Sequence, residues 1–151
     1  MKTIGLIGGM SWESTVTYYR LINEAVKAKL GGLHSAKILL YSVDFAQIEQ
    51  YQASGAWDKS AEVLTDAAKR LRAAGADFIV ICTNTMHKVA PQIQRVIHIP
   101  ILHIADATAD ALLAKGIRKC NTVLNHTQGQ YFALCNRLSG RSRCNLLRNS
   151  L

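Results

Sequence analysis

The sequence has no run of about 18 or more apolar residues, the length a helix needs to cross a bilayer, so no membrane partner is expected. The opening residues, Met1 to Met10, form a short apolar stretch that ends in glycines. They lack the long apolar region and small-residue cleavage site of a signal peptide, and a cytoplasmic location is expected. The four cysteines, Cys82, Cys120, Cys135 and Cys144, match no paired zinc-ligand spacing, so no metal is expected. A disulfide framework does not suit a cytosolic chain. Neither G-x-G-x-x-G nor the lysine of a P-loop is present, which argues against a nucleotide-binding domain.

What is present suits one globular core: 151 residues, 49% hydrophobic and 19% charged, with mean hydropathy +0.07. This is too apolar for a disordered chain. The net charge of +8 is unevenly spread. Residues 1–119 hold 14 Lys and Arg and all 10 acids, whereas the last 32 residues carry Arg137, Arg141, Arg143 and Arg148 and no acid. Composition therefore divides the chain into residues 1–119, one domain, and residues 120–151, a basic tail to which no domain is assigned.

Up to residue 119 the pattern alternates strand and helix. Thr3 to Ile7 is a short apolar run closed by Gly8-Gly9, and Trp12 to Leu30 carries Val16, Tyr19, Ile22 and Val26 at helical spacing. Lys37 to Val43 reads as a second strand, Asp58 to Ala74 as a helix with Ala61, Leu64, Ala68 and Leu71 on one face, and Phe78 to Ile81 as a third strand. A helix from about Thr85 to Val96, a strand Ile101 to Ile104 introduced by Pro100, and a helix Asp106 to Lys115 complete the pattern. Continuous apolar strands alternating with amphipathic helices predict an α/β fold: a three-layer, Rossmann-like parallel sheet with right-handed crossovers. Asn121 to Leu151 shows no sustained period, and weak structure is expected there.

Ligands of such sheets sit beyond the carboxyl ends of the strands, which three segments of this chain reach. Gly8 to Thr15, glycines followed by hydroxyls, is either an anion cradle or a plain turn capping a helix. Cys82-Thr83-Asn84-Thr85-Met86-His87 follows the third strand. A cysteine there stands at a helix N-terminus, whose dipole favours thiolate, although the plain alternative is a small buried apolar residue. His87, five residues on, reads as a helix-flank residue before it reads as an acid or base. In the third segment, His103 to Thr108, Asp106 and Thr108 are helix-capping residues first and pocket walls second.

These residues carry a resemblance. Ile79 to Lys88, Ile-Val-Ile-Cys-Thr-Asn-Thr-Met-His-Lys, is similar to the first cysteine signature of the aspartate/glutamate racemase family. Met1 to Thr15, Leu33 to Ala36, Ser42 to Phe45 and His103 to Thr108 extend the match in order, and the enterobacterial members are the nearest in likeness. The resemblance implies a cofactor-independent amino-acid racemase of two pseudo-symmetric α/β domains, each lending one cysteine to a shared cleft. Inversion at an α-carbon needs a base on one face and an acid on the other, and one thiol does not reach both. Carried over by likeness, Cys82 is one of the thiols. Thr83, Asn84 and Thr85 hold the carboxylate and ammonium of an acidic amino acid, and Met10 and Gln52 complete the pocket.

After residue 119 the likeness stops. Cys120 to His126 replaces the apolar strand that opens the second domain, the length falls about one-third short of a two-domain enzyme, and neither Cys135 nor Cys144 stands in the second signature, Gly-Cys-Thr-Glu. The abrupt loss of acids resembles translation in another reading frame, in which case the basic tail is no nucleic-acid arm and no nucleic-acid partner is expected. The leading expectation is a racemase-family protein with a small-molecule substrate and impaired catalysis. The alternative is a non-catalytic amino-acid-binding or assembly module. A cleft face left bare by a missing domain would favour homo-oligomers.

Overall fold

The computed structural model describes residues 1–116. The chain divides into two compact units, Met1–Leu102 and His103–Leu151. The composition boundary at residue 119, the tail and Cys120, Cys135 and Cys144 lie outside the described residues.

In the first unit, β1 (Ile4–Gly8) is the centre of a parallel sheet of order β2-β1-β3, flanked by β2 (Ile38–Ser42) and β3 (Phe78–Ile81). Ile4 is level with Ile38 and Phe78, and Ile7 with Tyr41 and Ile81. The chain thus leaves β1 toward one side for β2 and crosses over to the other side for β3. Right-handed connections in opposite directions require helices on opposite faces, and that is where they lie.

Helix α1 (Trp12–Leu30) covers one face, packing Tyr18 and Ile22 onto Leu6, Val80 and Cys82. Its polarity suits the helix dipole, with Glu13 in the first turn and Lys27 and Lys29 in the last, and the Gly31 amide closes it on the Lys27 carbonyl at 2.8 Å. The other face holds the larger cluster. There α3 (Trp57–Ala73) lays Ala61, Leu64, Ala68 and Leu71 on Ile7, Ile79 and Ile81, as its periodicity predicts. Burying each of these leucines contributes about 2 kcal/mol. The α/β fold and its parallel sheet are as expected.

Three elements depart from the sequence expectation. A helix α2 (Phe45–Ala53) stands where none is predicted, capped by the Asp44 carboxylate, which accepts from the Ala46 amide at 3.1 Å. The helix predicted from Thr85 to Val96 is instead a 3-10 helix (Thr85–Val89) followed by the short α4 (Ala90–Gln94). Pro91 explains the break: it has no N–H to give the His87 carbonyl, and its ring would collide with that carbonyl in a continuous α-helix. The Ala90 amide meets the His87 carbonyl in the tighter pattern. The expected fourth strand is reduced to one parallel bridge, Ile79 with Ile101. Pro100 brings no donor there. Two residues beyond Ile101, His103 caps α5 (Ile104–Ala114), so the chain turns helical before a strand can extend.

Candidate functional site

The three strands end level. The Val43 amide donates to the Gly8 carbonyl at 3.0 Å and the Cys82 amide to the Ile7 carbonyl at 2.9 Å. The turns after β1, β2 and β3 therefore meet at one edge, and β1 and β3 are the pair whose connections depart to opposite faces. That is the crevice where parallel α/β sheets bind ligands.

In the turn after β1, Gly9 has φ +88°, and a Cβ there would run into the Val43 carbonyl, so only glycine fits. Its amide donates to Thr15 Oγ1 at 3.0 Å. The Ser11 hydroxyl accepts from the Ser14 amide at 3.4 Å and donates to the Glu13 carboxylate at 2.9 Å. Of the two readings of this segment, the geometry favours the helix cap: its hydroxyls are engaged, and Glu13 sets a like charge against any second anion. Met10, expected at the pocket, is 3% exposed and belongs to the apolar cluster beneath α3.

Cys82 is positioned by β3. It directly succeeds Ile81, at the rim of the sheet, and alternation along the strand sends its side chain to the α1 face with Val80. It is fully buried there, and burial pushes its thiol from 9.0 up to about 12. The expected dipole-activated thiolate is thereby corrected. The backbone after Cys82 forms a bend and a 3-10 helix rather than an α-helix N-terminus, and desolvation favours the neutral thiol.

Thr83, Asn84 and Thr85 come next, each half-buried at the same edge. His87 is 2% exposed, and its Nδ1–H donates to the Thr83 carbonyl at 2.8 Å. A carbonyl can only accept, so the proton lies on Nδ1, and the ring pins the backbone of this turn. Gln52, on α2, donates from Nε2 to Met86 Sδ at 2.9 Å, which ties it to the same turn. The fold thus gathers Cys82, Thr83, Asn84, Thr85 and Gln52 around one turn. Met10 and Cys82 face opposite sides of the sheet. Two residues escape sequence reasoning: Tyr18, which packs on the Cys82 cluster, and Met86, which anchors Gln52. Tyr18 is legible only as one more helical apolar position.

In the second unit, His103 Nδ1 accepts the Ala105 amide at 3.1 Å and the Thr108 hydroxyl donates to the Ile104 carbonyl at 2.7 Å. The cap of α5 is therefore His103, and the helix starts two residues ahead of the expected Asp106. Among the described residues no group of His, Cys, Asp and Glu is arranged to hold a metal ion.

The Asp/Glu/hydantoin racemase family model matches residues 7–124. The chain belongs to this racemase family. A crystal structure of a candidate Asp/Glu racemase from Yersinia pestis is similar with TM-score 0.85 and 56% identity, over 93% of this chain and 62% of that one. An aspartate racemase homologue from Pyrococcus horikoshii OT3 is similar with TM-score 0.71 and 36% identity, over 77% of this chain and 50% of that one. This racemase-family chain therefore spans less than two thirds of the length of both relatives. Its family match includes every segment at the sheet edge described above, the Cys82 turn among them. No helix among its described residues is long and apolar enough to cross a membrane.

Proposed function

We propose that this chain carries one half-site of a cofactor-independent racemase for acidic amino acids, acting on the free amino acid in the cytoplasm. Cys82 serves as acid/base, and Thr83, Asn84, Thr85 and Gln52 serve as substrate contacts. One observation carries this reading: within the family match, a cysteine directly follows β3 at the crevice beside the Gly8-Gly9 turn of β1, succeeded at once by three polar residues.

With its thiol pushed up to about 12, Cys82 is an acid at neutral pH. A base removes the α-proton from one face of the substrate, and the electron pair left at carbon delocalises into the carboxylate. Cys82 then delivers the S–H proton to the other face and becomes thiolate, which takes a proton back in the reverse direction. Residues 1–116 hold no second cysteine to serve as that base, and Cys135 and Cys144 stand in no matching motif. Racemisation by the 151-residue chain is therefore expected to be very slow.

Incubation with each enantiomer of aspartate and glutamate in deuterated water tests this, with α-proton exchange read by NMR and configuration by chiral chromatography. The expected result is slow exchange on the enantiomer whose α-proton faces Cys82, removed by the small thiolate fraction of Cys82 and replaced by deuterium from the same sulfur, exceeding inversion and lost in Cys82→Ala. Rapid racemisation, or exchange that survives Cys82→Ala, refutes it.

The complete burial of Cys82 favours a second reading, a non-catalytic amino-acid-binding module. Calorimetry showing aspartate or glutamate bound equally by the wild type and Cys82→Ala, with no exchange, would establish it.

A further inference from the structure

We propose that Tyr18 is a positioning residue for Cys82: its ring is the cover that decides whether the sulfur can be reached from outside. This rests on the reading of Cys82 as the reactive thiol. Five partly buried side chains pack against the cluster of Leu6, Val80 and Cys82: Ile4, Tyr18, Ile22, Ile38 and Phe78. Three of them are far from the sulfur along the strands. Ile4, Ile38 and Phe78 are level with one another at the amino edge of the sheet. Cys82 lies four residues further along, roughly 13 Å away at the usual rise.

Among the described side chains packed against this cluster, those nearest the carboxyl edge come from α1. It begins there at Trp12 and runs back, so Tyr18 sits one helical turn nearer to Cys82 than Ile22 does. Tyr18 also has a second face. With Glu13, Ser14 and Thr17 it lines a shallow surface pocket at the start of α1. One ring thus borders both an open pocket and the buried thiol cluster. Its own ionisation agrees with this placement: the Tyr18 hydroxyl is pushed up first by burial and second by the charge Cys82 would carry.

The test uses the whole 151-residue chain and iodoacetamide, with modification read at the Cys82 peptide by mass spectrometry so that the other cysteines do not count. Tyr18→Ala is expected to raise the Cys82 alkylation rate about tenfold or more and to move the midpoint of its pH profile downward, because an opened thiol is hydrated. Tyr18→Phe keeps the ring and should stay within about twofold of wild type. Ile22→Ala, cut from the same cluster one turn away, should also leave the rate unchanged. If the alanine variant does not fold, Tyr18→Leu, which retains more of the apolar packing, is read in its place.

No acceleration on removing the ring overturns the proposal, as does equal acceleration in Ile22→Ala or in Tyr18→Phe. Alkylation needs no substrate, so loss of the racemase reading by the exchange experiment leaves this result standing, and the reverse also holds.

Discussion

At the residue scale, Cys82 couples the fold to pH. Its thiol ordinarily ionises at 9.0 and is pushed up to about 12 by burial, so from 9 to 12 the folded chain keeps a proton that the unfolded chain has lost. Stability falls wherever the folded state binds more protons and pH rises. The contribution is complete below 9 and is lost as pH climbs toward 12. Urea midpoints measured from neutral to strongly alkaline pH should drop more steeply for wild type than for Cys82→Ala, in which this proton is absent. Parallel curves would mean that the thiol is already open to water in the folded chain. Gly9 is a second sensitive residue, for steric reasons. Alanine there takes a left-handed backbone and also meets the Val43 carbonyl, whereas at Gly55, φ +69°, a Cβ meets nothing within 4 Å. Gly9→Ala is expected to cost about 2 kcal/mol or more and Gly55→Ala about 1 kcal/mol in urea unfolding, the difference being the collision. Equal losses would show that the turn after β1 can shift away from β2.

At the element scale, legibility tracks the range of the interaction that decides each segment. The bounds of α1, Trp12 and Leu30, and those of β3, Phe78 and Ile81, are as read from the sequence, because glycines punctuate one and a continuous apolar run defines the other. Helix α2 escapes a local reading although Asp44 is a good cap. It has one buried residue, Ile48, and its stability comes from docking beside α3, which no local pattern reveals. The break after Thr85 is legible in principle, since Pro91 forbids a continuous helix, yet the apolar periodicity through Val89 and Ile93 masks it. The site divides in the same way. The cysteine turn is readable because its residues are consecutive. The Gln52 link to Met86 spans 34 residues, and the side of the sheet that Cys82 faces depends on strand register, so neither is visible in the sequence.

At the scale of the whole molecule, every described side chain of the two apolar clusters that cover the faces of the sheet lies within Met1–Leu102, from Ile4 to Ile101. Among the described residues, the three strands and the helices α1 and α3 that cover them belong to the same unit. A domain of this size buries enough surface to fold alone. A fragment ending at Leu102 is therefore expected to unfold cooperatively in urea with far-ultraviolet circular dichroism typical of an α/β protein. Its Cys82 alkylation rate should match that of the full chain, because Tyr18 and the strands around the thiol are retained. A molten fragment, without a cooperative transition, would show that residues beyond Leu102 complete the core. A cooperative fragment whose Cys82 reacts many times faster would instead place the cover of the thiol beyond residue 102, and would remove Tyr18 from that role while leaving the folding argument intact.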